Sequence, residues 1–145
     1  KWIADACTKI QGQFTSAPCS IAQAAAATAV DADPSIAHSM VAAFLRRRNA
    51  MHASLSKVPG INLNLPMGAF YLFPDVSELF GKSFNGKSLD NSDDVAMFLI
   101  EEAHVATVSG AAFGTPECIR ISYAAADEVL EEAVRRIEAA ISKLV

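Results

Sequence analysis

Arg120 is the residue whose type and placement most directly suggest chemistry. It lies in Glu117-Cys118-Ile119-Arg120-Ile121-Ser122-Tyr123-Ala124, where apolar residues at 119, 121 and 123 alternate with others. That period of two, with β-branched and aromatic members, predicts a half-buried strand. Arg120 then points away from the Ile119/Ile121/Tyr123 face. A guanidinium is planar, permanently charged and able to grip a carboxylate through two parallel hydrogen bonds. Carried on a strand rather than a mobile loop, it would hold one carboxylate in one orientation. Spacing alone leaves a second reading open: a solvated strand arginine in a surface ion pair, since most arginines are exposed.

Other chemistry-bearing residues are less informative. Ser109-Gly110 and Phe113-Gly114 bracket a tight loop. Nothing beside Ser109 resembles a hydrolase elbow, so a structural loop is expected there. His38, His52 and His104 show neither metal-ligand spacing nor the company of a catalytic triad, and are expected to be structural. Cys7, Cys19 and Cys118 are odd in number, lack metal-like spacing and read as reduced thiols, which fits the cytoplasm.

Two further segments set Arg120 in context: Leu65-Pro66-Met67-Gly68-Ala69-Phe70-Tyr71-Leu72-Phe73 and Val105-Ala106-Thr107-Val108-Ser109-Gly110-Ala111-Ala112-Phe113-Gly114. Taken in order with Ile119-Arg120-Ile121-Ser122-Tyr123-Ala124, they resemble the carboxy-terminal part of class I/II pyridoxal-phosphate aminotransferases of fold type I, most closely the aspartate aminotransferase group. The resemblance runs over essentially the whole chain.

The resemblance implies that Arg120 clamps the substrate α-carboxylate. It implies that Phe70 lines the substrate pocket, although Phe70 and Tyr71 also read simply as strand aromatics of a core. Gly68 permits a close backbone approach or an unusual turn. Thr15-Ser16 is similar to a segment that approaches the neighbouring subunit's site, and ordinary helix capping explains it as well. Many relatives have Pro-Gly where this chain has Ser109-Gly110, which bears on loop rigidity alone.

The family's cofactor-holding lysine sits in a Ser-x-x-Lys context, followed by Gly-Trp-Arg-x-Gly-Tyr. Lys1, Lys9, Lys57, Lys82, Lys87 and Lys143 match none of that. The implied cofactor is pyridoxal 5'-phosphate, held mainly by residues outside this chain. No catalytic, metal or certain cofactor-binding residue is assigned here, and the chain alone is expected to be inactive. The implied substrates are L-aspartate, or a related amino acid, and 2-oxoglutarate, in a homodimeric parent. The competing reading is a standalone, non-catalytic amino-acid-binding or regulatory module.

Composition is consistent with such a domain. At 145 residues the chain is long enough for a genuine core. Hydrophobic residues make up 52% and charged residues 19%, a slightly apolar balance that suits a surface covered by another domain or subunit. The net charge of −4 argues against a nucleic-acid partner, which needs a basic face. Arg46-Arg47-Arg48 spans most of a helical turn and so cannot form one stripe; a solvated face with one interfacial arginine is expected. No stretch approaches the roughly 20 apolar residues of a membrane span.

The elements expected to position these residues are helical and extended blocks in an α+β fold, a small mixed or antiparallel sheet covered by helices. Residues 2–14 predict a helix with Ile3, Ala6, Cys7 and Ile10 on one face, and a second helix starts at Pro18. Asp33 is the expected cap of a long helix from Pro34 to about Lys57, burying Ile36, Met40, Val41, Phe44, Met51 and Leu55. Strands are expected at 61–65, 70–73, 104–108 and 119–123, and a loop at 79–92. Asn91 or Ser92 caps a helix burying Val95, Phe98 and Leu99. A final helix from Asp127 buries Leu130, Val134, Ile137, Ile141 and Leu144, with Glu131–Arg135 and Glu132–Arg136 pairs outside. By the resemblance, residues 1–30 belong to a large cofactor domain. Residues 31–145, including the long bridging helix, form the small domain.

Overall fold

The computed structural model describes all 145 residues, in two compact units, Lys1–His38 and Ser39–Val145. The first unit holds helices α1 (Trp2–Phe14) and α2 (Ser20–Asp31) and a 3-10 turn, Pro34–Ala37. Neither helix buries a residue, so Ile3, Ala6, Cys7 and Ile10 share a face that stays exposed. Two helices and a turn are too little chain to enclose a core. Helix α2 starts later than Pro18 suggested, because Cys19 is still extended and takes the N-cap position. Asp33 does cap its turn, its carboxylate accepting from Ser35 N at 2.8 Å.

Helix α3 (His38–Leu55) follows the 3-10 turn, so the anticipated single helix from Pro34 is two pieces. Its buried set is shorter than the apolar pattern implied. Met51 and Leu55 are buried and Phe44 packs on the core edge, but Met40 and Val41 are more than half exposed, as is Ile36 in the preceding turn. Within the second unit only the carboxy-terminal half of α3 has layers to pack against.

The sheet is three-stranded and antiparallel, with β5 (Ile119–Ser122) between β1 (Tyr71–Leu72) and β4 (Val108–Ser109). Tyr71 pairs with Ser122, Leu72 with Ile121, and Val108 with Arg120. One face carries Leu72, Ile119 and Ile121 into a core shared with α4 (Ser92–Glu102) and α5 (Asp127–Ile141). Val95, Phe98 and Leu99 from α4 and Leu130, Val134, Ile137 and Ile141 from α5 fill it. Each fully buried side chain of this size is worth about 1.5–3 kcal/mol of transfer free energy. Leu144 packs only partly, because α5 ends at Ile141.

Three expectations are revised in the second unit. The extended pieces are shorter: residues 61–65 contribute one bridge, Asn62 to Asp75, and the 104–108 strand begins only at Val108. His104 takes a left-handed φ of 54° just past the α4 C-cap, which stops extended pairing there. The 79–92 loop contains a hairpin, β2 (Ser83–Phe84) and β3 (Lys87–Ser88). Asn85 and Gly86 turn it with φ of 50° and 79°, the primed geometry that an Asn-Gly pair favours. Finally, Glu132 takes both Arg135 and Arg136 at 2.7 Å, leaving Glu131 without a partner. Asn91 caps α4, accepting from Asp93 N and Asp94 N at 2.9 and 3.0 Å.

Candidate functional site

Alternation along β5 decides where its side chains go. Ile119 and Ile121 enter the core, so Arg120 and Ser122 stand on the opposite face. Strand pairing adds Val108 and Tyr71 to that same face. Arg120 is half-buried there. Its guanidinium carbon lies 4.9 Å from the ring centre of Phe113 and 5.7 Å from that of Tyr71.

What distinguishes Arg120 among the six arginines is its lack of a polar partner. Arg46 and Arg47 both hold Asp127, at 2.7 and 2.6 Å. Arg48 donates to Pro66 O at 2.9 Å and to the Asn49 amide, and Arg135 and Arg136 share Glu132. Arg120 forms no ion pair or side-chain hydrogen bond and lies over the rings of Phe113 and Tyr71. The surface-ion-pair reading of Arg120 is therefore set aside. A guanidinium against ring faces keeps its outward N–H groups available, and cation–π attraction of about 0.5–2 kcal/mol holds it in place.

The aromatic wall has its own supports. Phe113 ends a 3-10 turn (Gly110–Phe113) and meets Phe73 edge-on at 6.1 Å. Gly110 is required at the start of that turn: a Cβ there would overlap the carbonyl oxygens of Thr115 and Cys118. Gly110 N also donates to Cys118 O at 2.7 Å, tying the turn to the strand that carries Arg120. Ser109 is structural, as expected: its hydroxyl accepts from Ala111 N at 3.2 Å and pairs with the buried Ser92 hydroxyl at 2.9 Å.

On the other side, Tyr71 meets Phe70 edge-on at 6.0 Å. Phe70 lies just before β1 and is half exposed. The loop before it is pinned three times. Arg48 donates to Pro66 O, the Tyr123 hydroxyl donates to Ala69 O at 3.0 Å, and Tyr123 N donates to Phe70 O at 2.8 Å. Burial raises the Tyr123 phenol above its ordinary pKa, with the Arg48 charge acting the other way, so it stays a donor at neutral pH. The unusual turn falls on Ala69, at φ 62°, and Gly68 has open space around it. Side chains rarely adopt that conformation, and the Tyr123 bond explains why it persists here.

Two concavities do not include Arg120. One, of about 690 Å³, runs between α3 and α5 and includes Arg46, Arg47, Lys57, Asp127, Leu130 and Arg135. Its charges largely neutralise one another, and Asp127 is held below the usual carboxylate range first by Arg47 and then by Arg46. The other, of about 500 Å³, is lined by His104, Val105, Val129 and Arg136 among others. Of their lysines and arginines only Lys57, in the first, forms no ion pair or side-chain hydrogen bond. In the first unit, Thr15 caps α1, its hydroxyl donating to Gln11 O at 2.9 Å, and Ser16 turns the chain with φ of 57°.

Residues 1–137 match the family described as aminotransferase class I and II. The chain belongs to that family. It is 43% identical over 140 residues to a bifunctional aspartate aminotransferase and glutamate/aspartate-prephenate aminotransferase of Petunia hybrida, covering 94% of this chain and 29% of that protein. It is 46% identical over 131 residues to an aspartate/prephenate aminotransferase of Cereibacter sphaeroides, covering 90% and 33%. Among solved structures, an aspartate aminotransferase of Rhizobium meliloti superposes with a TM-score of 0.86 at 38% identity, over 94% of this chain and 34% of that one. An aromatic aminotransferase of Pyrococcus horikoshii gives 0.81 at 32% identity, over 97% and 36%. The chain thus spans about a third of the length of the relatives it matches. Its α+β architecture is that of the aminotransferase small antiparallel sheet with covering helices.

Enzymes of this family use pyridoxal phosphate. The residues around Arg120 do not fit that group. The Gly110 turn closes on its own backbone and leaves no phosphate-sized cradle. Lys87 and Lys143 face Glu101 and Glu102 at 3.8 and 3.6 Å, and Lys57 lines the α3–α5 groove. A lone cation between aromatic faces fits a carboxylate.

The sequence reading missed Phe113 as a wall of the site. Its Gly-x-x-Phe-Gly setting was visible, but only the fold brings it over Arg120. Arg48 and Tyr123 were likewise read as surface and core residues, although both pin the pocket-side loop.

Proposed function

We propose that this chain is the carboxy-terminal part of an aminotransferase that moves an amino group from L-aspartate, or a related amino acid, to 2-oxoglutarate. The observation that carries the reading is the unpaired Arg120 guanidinium on the open face of β5, flanked by Phe113 and Tyr71. In this reading Arg120 donates two parallel N–H bonds to the α-carboxylate and so fixes the rotation of the amino acid about its Cα. Tyr71 and Phe113 limit water around the ion pair, and Phe70 covers the substrate's outer edge. Lowered water access strengthens the pair, because its attraction scales inversely with the local dielectric.

Residues 1–30 then belong to a large cofactor domain and residues 31–145 to a small domain, with α3 as the bridging helix. The lysine that holds the cofactor lies outside these residues, so the chain alone is inactive. The parent is a cytoplasmic homodimer. Both relatives above carry prephenate in their names, and prephenate is a second candidate acceptor.

The test is the absorbance spectrum of a protein containing this chain together with its upstream residues, bound to pyridoxal phosphate. A cofactor band that changes on adding L-aspartate and recovers with 2-oxoglutarate is the expected result. A band indifferent to every amino acid tried would favour a non-catalytic binding module.

A further inference from the structure

Arg120 carries a charge on a long side chain with four rotatable bonds and no polar group to hold it. An unrestrained guanidinium would have to be ordered each time a ligand binds, and each immobilised side chain of this kind weakens binding. The structure restrains it in another way. Phe113 lies with its ring centre 4.9 Å from the guanidinium carbon, closer than Tyr71 at 5.7 Å. Phe113 is itself half exposed, so its ring is not held there by burial in the core.

A short relay holds Phe113 instead. The buried Ser92 at the start of α4 pairs with the Ser109 hydroxyl at 2.9 Å, and Ser109 accepts from Ala111 N at 3.2 Å, fixing the first residues of the 3-10 turn. Phe73 meets the ring edge-on at 6.1 Å. Gly110 closes the turn against the Cys118 carbonyl, two residues before Arg120 itself. The ring and the guanidinium are therefore referenced to the same stretch of backbone.

We propose that Phe113 is a positioning residue: seated by the Ser92–Ser109 hydroxyl pair and Phe73, its ring holds the Arg120 guanidinium in the orientation that receives a carboxylate. The proposal rests on the reading of Arg120 as a carboxylate anchor. It differs from that reading in assigning the pre-organisation of the guanidinium to Phe113.

The experiment uses the 145-residue chain labelled with 15N. The Arg120 Nε–H resonance, assigned by its loss in Arg120→Lys, reports the ring directly, and L-aspartate is the ligand probe. In the wild type the ring current of Phe113 displaces that resonance from the position of a free arginine. Phe113→Leu is expected to return it toward the free position and to weaken L-aspartate binding about tenfold. Phe113→Tyr, which keeps the ring, should preserve both, and unchanged Ile119 and Ile137 amide shifts will show that the fold is intact. Ser109→Ala is expected to move the resonance part of the way. An Arg120 resonance unmoved by Phe113→Leu overturns the positioning role, whatever the ligand does. Binding lost in Arg120→Ala but kept within twofold in Phe113→Leu also overturns it while sparing the anchor. Binding that survives Arg120→Ala removes the anchor reading and the proposal with it.

Discussion

The two faces of β5 are built from one four-residue strand and do opposite things. On the inner face Ile119 and Ile121 are almost completely buried, joined at the strand's end by Tyr123, and each meets a complementary apolar neighbour. On the outer face Arg120 has two rings, no polar partner and partial access to water. The inner face lowers the free energy of the fold. The outer face leaves a charge unsatisfied by the protein, as a binding group must be. Because strand side chains alternate, the rigidity supplied by one face fixes the position of the other.

The sharpest way to separate the faces is a pair of neighbouring substitutions. Ile121→Ala should destabilise the chain by about 2–5 kcal/mol in denaturant unfolding, since it removes a buried branched side chain from a packed core. Arg120→Ala should change stability by no more than about 2 kcal/mol, the upper size of the cation–π attraction to its flanking rings, while removing carboxylate binding. Comparable destabilisation by the two would break the comparison.

A smaller effect tests the turn joining the faces. Gly110→Ala should cost about 1–3 kcal/mol, because the Thr115 and Cys118 carbonyls cannot yield without moving the backbone. It should also displace Phe113, so the Arg120 Nε–H resonance should shift beyond any change in the core amides. Tyr123→Phe is milder, about 0.5–1.5 kcal/mol, for one hydrogen bond to Ala69 O. Its readout is faster amide exchange across residues 67–71, with the α5 amides unaffected.

The smallest effect lies on α5. Arg135 and then Arg136 hold the Glu132 carboxyl down to about 2. A carboxylate whose pKa is lowered by folding contributes stability that is complete above its unfolded value, about 4.3, and is lost as pH falls toward its folded one. The melting-temperature difference between the wild type and Glu132→Gln should therefore be constant above about pH 5 and shrink toward pH 2. A difference independent of pH would show that the pair adds nothing in solution, as exposed pairs often do.

How legible this was depended on distance along the chain. The alternation at 119–123 and the 4-3-4-3 spacing of α5 are local patterns, and both located their buried faces correctly. The Asn85-Gly86 hairpin is also locally encoded, but its polar surroundings hide the two short strands it joins. Partner choice was less legible. Glu132 rather than Glu131 took Arg135, because i,i+3 and i,i+4 neighbours compete on one helix face. The long-range pieces of the site gave no periodic signal at all: Phe113 over Arg120, Arg48 on Pro66 and Tyr123 on Ala69 join segments that no local pattern links. The apolar residues Met40 and Val41 of α3 looked like core and are exposed, because a helical pattern states which face is apolar but not what covers it.

The most direct test of the central claim asks which carboxylate Arg120 recognises. The Arg120 Nε–H resonance of the labelled chain would be followed during titration with L-aspartate, L-alanine and β-alanine. L-alanine keeps the α-carboxylate and lacks the side-chain one; β-alanine keeps only the carboxylate of the aspartate side chain. The account predicts a saturable shift with L-aspartate and L-alanine and little with β-alanine. An equal response to β-alanine, or no response to any of the three, would contradict it.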